Sequence, residues 1–310
     1  MEQNETSQKQ FAGKIYLGKL PERAEKKKIE IKTERIPENQ KPGKYHICAV
    51  IKDEHDYIRE WALHNRSLGF DQIVLYDNNS SKPYDEVLGD LIREGFIEIR
   101  LWPDNRWDRQ VRAYNDFVWS GDWSRNDYCA FIDPDEFIFF DKAKTISEFL
   151  KLYSDYAGVS LSWRLYNANG RIETPKDIPT IEAYTTEFDF REPRTKPIGR
   201  LKNIVKFVSD HTFIPSRGEL VTTGKQVIRG ISADYKDFTN GHIKHYISKS
   251  WQDWVKRLKR GNMTKGLRTV DLFFVFNPDM EYLRETLTKN LNIKEFPTIK
   301  NNSNQGWRVL

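Results

Sequence analysis

The chain has 310 residues, 38% apolar and 31% charged, with a formal net charge of +5; this suits one large soluble domain, or one domain with a small appendage. Two cysteines, Cys48 and Cys129, exclude a disulfide framework and a cysteine-built zinc site, and no apolar run approaches the roughly 20 residues that span a bilayer. The first ten residues are polar and lack the apolar centre of a signal peptide, so a cytoplasmic location is expected. The modest positive charge favours an anionic partner, a nucleotide or a phospholipid surface, without choosing between them.

Residues 1–43 read as a charged extension, partly ordered, in which 14–20 and 28–36 alternate well enough to be edge strands. From Tyr45 the pattern becomes regular. Tyr45–Ile51 (YHICAVI) is a near-continuous apolar run, as in a strand covered on both faces. Residues 57–68 carry apolar groups at helical spacing and stop at Gly69. A strand over 71–76, a helix over 87–93 ended by Gly95, a strand over 96–101, a helix over 110–119 and a strand over 128–132 follow. This alternation predicts parallel strands with right-handed crossovers and helices on both faces of the sheet.

The second half is less regular. A strand is expected over 159–163, irregular chain over 167–197, and strands over 203–208 and 244–247. Trp251–Arg260 is an amphipathic helix with Trp251, Trp254, Val255 and Leu258 on one face. It opens on Ser250 and Asp253 in capping-box spacing and closes at Gly261. The opposite face, Lys256, Arg257, Lys259 and Arg260, is a candidate peripheral membrane contact; a solvated face is the plainer alternative. Residues 44–277 form the expected catalytic domain and 278–310 a tail with little pattern.

Three strand ends carry polar clusters. Asp133-Pro134-Asp135-Glu136 closes the fourth strand, and carboxylates so placed can converge on a hard divalent cation at the sheet's ligand-binding edge. The same string also suits a helix start, with Asp133 as N-cap and Glu136 as its capping-box partner. Lys52-Asp53-Glu54 and Asp77-Asn78-Asn79-Ser80 end the first two strands and can form a nucleoside cradle, or simply turns. His242 and His245, three apart, face opposite sides of a strand, so only one reaches a shared site. Lys249 can add a point charge at a diphosphate.

With these residues assembled, the sequence resembles the bacterial family 2-like glycosyltransferases related to glycosyltransferase family 92. The family's K-N-E strand end, its E-W with a histidine, its L-G and its Y-D-N-x-S appear at Lys52–Glu54, Glu60-Trp61 with His64, Leu68-Gly69 and Tyr76–Ser80. Its Gln and A-Y-N match Gln110 and Ala113-Tyr114-Asn115, its D-x-D-E-F is Asp133–Phe137, and its W-R is Trp163-Arg164. Lys202, His211, the H-Y-x-x-K-S of His245–Ser250 and Arg260-Gly261 complete the match, which runs over about residues 45–277. Asp53 for the usual Asn, and Lys82-Pro83 where an Asp often stands, are departures.

The resemblance implies an α/β glycosyltransferase-A fold, a Rossmann-like mixed sheet. It also implies a UDP-sugar donor, Mn²⁺ or Mg²⁺, and inverting transfer to a hydroxyl of a glycan or lipid-linked acceptor, in cell-surface glycan or polysaccharide synthesis. By matching positions, Asp133, Asp135 and His245 would hold the metal. Lys52, Glu54, Asp77 and Asn79 would line the nucleoside, with Gln110, Asp133, Lys202 and Lys249 also on the donor and Trp163 and Arg164 on the acceptor. An inverting transfer needs a general base. Glu136, beside Asp135, is the nearest candidate, and Glu173, Glu182 and Asp234 are others. Trp102, Trp107 and Trp163 can stack on sugar rings.

Rival readings are weaker. A glycoside hydrolase needs paired carboxylates but no nucleoside cradle. A sugar nucleotidyltransferase would open on a glycine-rich loop where Lys52-Asp53-Glu54 stands. A non-catalytic nucleotide- or carbohydrate-binding protein stays open, whereas the scattered lysines and arginines argue against nucleic acid.

Overall fold

The structure is a computed structural model that describes residues 43–189, 194–230, 233, 235–260 and 269–290. The two edge strands expected before residue 37, Asp234 and Gly261 lie outside the described residues.

The first half alternates as its pattern predicts. It runs β1 (Tyr45–Ile51), α1 (Ile58–Ser67), β2 (Gln72–Asp77), α2 (Asp85–Arg93), β3 (Ile97–Leu101), α3 (Arg109–Ser120) and β4 (Tyr128–Phe131). There follow β5 (Glu136–Phe140), α4 (Ile146–Lys151), β6 (Gly158–Tyr166), α5 (Thr180–Ala183), β7 (Glu187–Phe188) and β8 (Thr195–Arg200). The remainder is β9 (Ile204–Ser209), β10 (Thr212–Pro215), β11 (Leu220–Thr222), β12 (Gly241–His245), α6 (Trp251–Arg260), α7 (Val270–Phe276) and α8 (Arg284–Asn290).

The main sheet has the order β3-β2-β1-β4-β8-β6-β12-β5, with β7 and β11 also pairing β6. β1 is parallel to β2 and β4, and β2 to β3. β8 then runs antiparallel to both β4 and β6, while β12 is parallel to β6 and antiparallel to β5. The carboxyl ends of β1, β2, β4 and β12 therefore share one edge, where β5 and β8 begin.

β1 shows why its run is apolar throughout. Ile47, Ala49 and Ile51 join the core under α1 and α2, while Cys48 and Val50 join a second core under α3. Both faces are covered by helices, as expected. α1 ends where Gly69 takes φ +85, and α2 where Gly95 takes φ +76, the left-handed positions that favour glycine.

Gly158 and Gly199 face each other across β6 and β8. A Cβ on Gly158 would stand 2.5 Å from the Ile198 carbonyl oxygen, and one on Gly199 2.8 Å from the Phe213 ring. The pair lets Phe213 settle on the sheet, which holds the β9–β10 hairpin against it.

Expectations fail mainly in the second half. Residues 195–197 belong to β8, not to irregular chain, and β12 lies over Gly241–His245 rather than 244–247. Met280 and Leu287 pack into one cluster with Trp251, Trp254 and Phe273, so the described part of the expected tail packs against α6 and α7.

Candidate active site

The aspartate turn links β4 to β5, not a strand to a helix. Glu136 donates its backbone N–H to Asp133 O at 3.0 Å, and its carboxylate accepts the Asp133 N–H at 2.9 Å. The first is a turn bond between backbone groups and the second only the side-chain half of a capping box; a strand follows, so the helix-start alternative is overturned.

The turn presents two carboxylates to different partners. Asp133 accepts from Gln110 Nε2 at 2.5 Å and from Lys196 Nζ at 3.0 Å. Lys196 is wholly buried and its ammonium is also 3.9 Å from Glu136 Oε2. Burial would lower the Lys196 pKa, but Asp133 and Glu136 hold it well above the usual value. Asp135 accepts from Arg257 Nη2 at 2.8 Å and lies 3.6 Å from His245 Nε2. Burial would raise its carboxyl pKa, yet Arg257 and His245 hold it well below the ordinary range.

The other two strand ends are laced together. Asp53 donates its N–H to Ser80 Oγ (2.9 Å), Ser81 donates to Asp53 Oδ1 (2.6 Å), and Ser80 donates to Asp77 Oδ1 (3.0 Å). Asp53, Asn79 and Lys249 all have φ between +51 and +57. Left-handed backbone at a non-glycine residue costs energy and persists where the surroundings enforce it. Here three such residues stand at strand ends or beside α6.

α6 supplies the cationic wall. Its capping box is complete: Ser250 donates to Asp253 Oδ2 at 2.6 Å, and the Asp253 N–H returns to Ser250 Oγ at 3.1 Å. The helix is thereby aimed so that Arg257 reaches Asp135 and Arg260 reaches Glu54, at 2.8 and 2.6 Å. Between α6 and the end of β1 lies a cavity of about 390 Å³, lined among others by Glu54, Tyr57, Lys249, Arg257 and Arg260. The Lys249 ammonium sits 3.5 Å from the centroid of the Tyr57 ring, with no hydrogen-bond partner among the described residues. Burial pushes its pKa down to about 8, against the pull of Glu54. A buried ammonium that keeps its charge beside an aromatic face, with its donors unused, is poised for an anion.

Residues 47–272 match the model of Glycosyltransferase family 92. The chain belongs to glycosyltransferase family 92. The family 92 protein Os08g0121900 of Oryza sativa subsp. japonica is 25% identical over 229 residues, 67% of this chain and 37% of that one. The family 92 protein RCOM_0530710 of Ricinus communis is 26% identical over 174 residues, 54% of this chain and 29% of its own. The chain thus spans about a third of the length of these relatives. Among solved structures, S. aureus TarS 1-349 in complex with UDP-GlcNAc is 10% identical, covers 81% of this chain and 68% of its own, and has a TM-score of 0.38. The mannosyltransferase PcManGT of Pyrobaculum calidifontis, in complex with GDP-Man and Mn²⁺, is 13% identical over 42% of this chain and 38% of its own, with a TM-score of 0.33. Likenesses this distant say nothing of the ligands of this chain.

Several of the residues expected at the site lie at the strand-end edge or are linked to it: Glu54, Asp77, Gln110, Asp133, Asp135, His245 and Lys249. Trp163 joins them, its ring centroid 4.4 Å from that of His245. His242 faces away, 3.7 Å from Asp141, as the three-residue spacing predicts. Lys52 contributes its carbonyl, which accepts from Arg260, and Asn79 is exposed beside the cradle.

Other assignments do not hold. Lys202 is exposed, 3.8 Å from Asp122, at the opposite edge of the sheet, because Leu201 bonds to Asp127 O just before β4 begins. Arg164 follows Trp163 in a strand and so points to the other face, to Glu187 at 3.1 Å and the Phe238 ring at 4.2 Å. Glu136 is 0% exposed and its carboxylate faces the turn and Lys196, so it cannot meet an acceptor. Burial raises its pKa well above the usual value, against Lys196. The basic face of α6 is divided: Arg257 and Arg260 turn inward, while Lys256 and Lys259 are exposed, Lys256 pairing with Asp56 at 2.6 Å.

The expected metal fits part of this donor set. Among the described residues no three His, Cys, Asp or Glu side chains cluster at ligand distance. Asp133 has both oxygens committed to Gln110 and Lys196. Asp135 and His245 do converge, and the buried His245 Nδ1 has no partner among the described residues. Two protein ligands suit Mg²⁺ or a similar ion, whose shell is commonly filled by water and substrate phosphate oxygens.

Proposed function

We propose that this chain transfers a hexose from a UDP-sugar to a hydroxyl of a glycan acceptor, with inversion, in cell-surface glycan or polysaccharide synthesis. The observation that carries the reading is the Lys249 ammonium, buried without a hydrogen-bond partner among the described residues at a cavity whose walls hold Arg257 and Arg260; Arg257 in turn bonds Asp135, beside His245. The cavity lies at the carboxyl ends of parallel strands, where α/β sheets bind nucleotides. Glu54 and Asp77, with Asn79 beside them, offer acceptors for a base edge and ribose hydroxyls. Lys249 and Arg257 offer donors to the diphosphate and stabilise charge as it leaves. Asp135 and His245 would hold Mn²⁺ or Mg²⁺, which would supply Lewis-acid charge to the diphosphate. Trp163 gives the sugar an aromatic wall.

Calorimetric titration with UDP tests this assignment. Lys249→Met is expected to weaken UDP binding by about 10–100-fold, the worth of one charge-assisted hydrogen bond. Lys249 titrates near 8 in the free protein, and the anion binds its charged form. Wild-type affinity should therefore fall as pH rises through that value, and the variant should lack that fall. An unchanged affinity in Lys249→Met would remove the diphosphate from this cavity.

A further inference from the structure

The reaction needs a base, and each carboxylate of the aspartate turn is engaged. Asp133 is held by Gln110 and Lys196, Asp135 by Arg257, and Glu136 is enclosed. Asp210 differs. It lies in the turn between β9 and β10, its side chain 29% exposed, with Oδ2 3.3 Å from His211 Nε2. His211 is fixed from its other side, since Nδ1 stands 3.0 Å from the Thr195 carbonyl and must donate to it. Thr195 opens β8 at the same edge where β4 delivers Asp133, and its neighbour Lys196 is the residue that binds Asp133. The Trp163 ring stands between the two ends of the site, its centroid 5.3 Å from that of His211 and 4.4 Å from that of His245. One indole thus separates the Asp210–His211 pair from the Asp135–His245 pair. The Trp163 indole N–H is buried and has no partner among the described residues.

We propose that Asp210 is the general base that takes the proton of the acceptor hydroxyl, with His211 as the positioning residue that holds and shares that proton. The inference rests on the glycosyl-transfer reading above. In the step, the acceptor O–H bond breaks and its oxygen forms the new bond to the anomeric carbon. The anomeric C–O bond to the diphosphate breaks, its electron pair leaves on the diphosphate, and the proton passes to the Asp210–His211 pair. The charged groups facing this pair are Arg194, whose Nη1 is 3.5 Å from His211 Nε2, and Lys196 on β8; Trp163 on β6 is neutral. Burial pushes the His211 pKa down to about 4, so its imidazole is neutral near pH 7 and able to accept. Burial would raise the Asp210 pKa, but the His211 charge that appears in acid, with Lys196 and Arg194, holds it below the usual carboxyl value, so it is ionised near pH 7.

The test uses UDP release from UDP-glucose, UDP-galactose and UDP-GlcNAc with water as acceptor. Asp210→Asn is expected to lower that rate by about 10²–10⁴-fold, the range of a lost general base. It should leave the UDP dissociation constant within about threefold, which also shows that the variant is folded. The wild-type rate should fall as pH falls and the pair takes up a proton, a limb that Asp210→Asn lacks and a merely structural residue would not remove. Asp210→Glu, which keeps the carboxylate, should recover part of the rate. A rate for Asp210→Asn within about threefold of wild type overturns the assignment. Failure of the underlying reading looks different: the wild-type chain itself would neither bind UDP nor release it.

Discussion

Asp135→Asn is expected to lower donor turnover by about 10²–10³-fold, the scale on which a single preorganised charge acts at a developing anion. The substitution keeps the shape of the side chain and an oxygen for Arg257, but removes the charge that draws Arg257 and His245 together. With that charge go one of the two proposed protein ligands for a divalent ion and the anchor that aims Arg257 along the cavity. The fold should survive, because Arg257 keeps its bond to the Ile247 carbonyl and the nearby charges of Glu54 and Asp253, so the loss stays below the about 3–5 kcal/mol of a fully unpaired buried charge. Donor turnover measured well below the melting temperature, with and without added Mn²⁺, checks this. A variant as active as wild type and equally dependent on metal would show that Asp135 serves structure alone.

Lys196→Met should act on stability instead. Lys196 is wholly buried and is the cation for both Asp133 and Glu136, at 3.0 and 3.9 Å. Methionine fills similar space but leaves two carboxyls without it, a loss of about 3–5 kcal/mol. At roughly 2–4 °C per kcal/mol in a large domain, the melting temperature should fall by about 6–20 °C. The pH dependence has a definite sign. Glu136 is already raised by burial against the opposing pull of Lys196, and removal of that pull raises it further. A group with a raised folded pKa stabilises once protonated, and this contribution is lost as pH rises through that pKa. The deficit of the variant relative to wild type should therefore shrink on acidification. Thermal unfolding across a pH series measures it, and a deficit that grows in acid would contradict the pairing.

The parallel half was legible because its signals are local. YHICAVI is apolar on both faces since cores lie on both, and Gly69 and Gly95 stand where only a left-handed residue continues the chain. β8 hid for the opposite reason. TKPIGR contains proline, glycine and two cations, and reads as loop until the burial of Lys196 is explained by Asp133 and Glu136. That partnership spans some sixty residues of chain, beyond any local pattern.

The site was legible to a similar degree. Strand ends can be read from the sequence, so the placement of Glu54, Asp77, Asp133 and Asp135 at one edge of the sheet is legible there. Pleat alternation already separates Trp163 from Arg164, as it separates His242 from His245, and would have spared the assignment of Arg164 to the acceptor. The inward turn of Arg257 was not readable, because it sits next to exposed Lys256 and close to exposed Lys259 on a helix whose charges look solvated. Lys202 failed through spacing. A motif match carried no information on which edge of the sheet the residue would reach.

The central claim is that the cavity between α6 and the end of β1 holds the diphosphate of a nucleotide-sugar donor for transfer. The most direct measurement incubates the intact chain with a panel of UDP-sugars and Mn²⁺, following UDP release and the mass of the acceptor product. The account predicts UDP release from at least one UDP-hexose, strongly reduced in Asp135→Asn. UDP bound without turnover of any UDP-sugar, and with the same affinity in Lys249→Met, would contradict it.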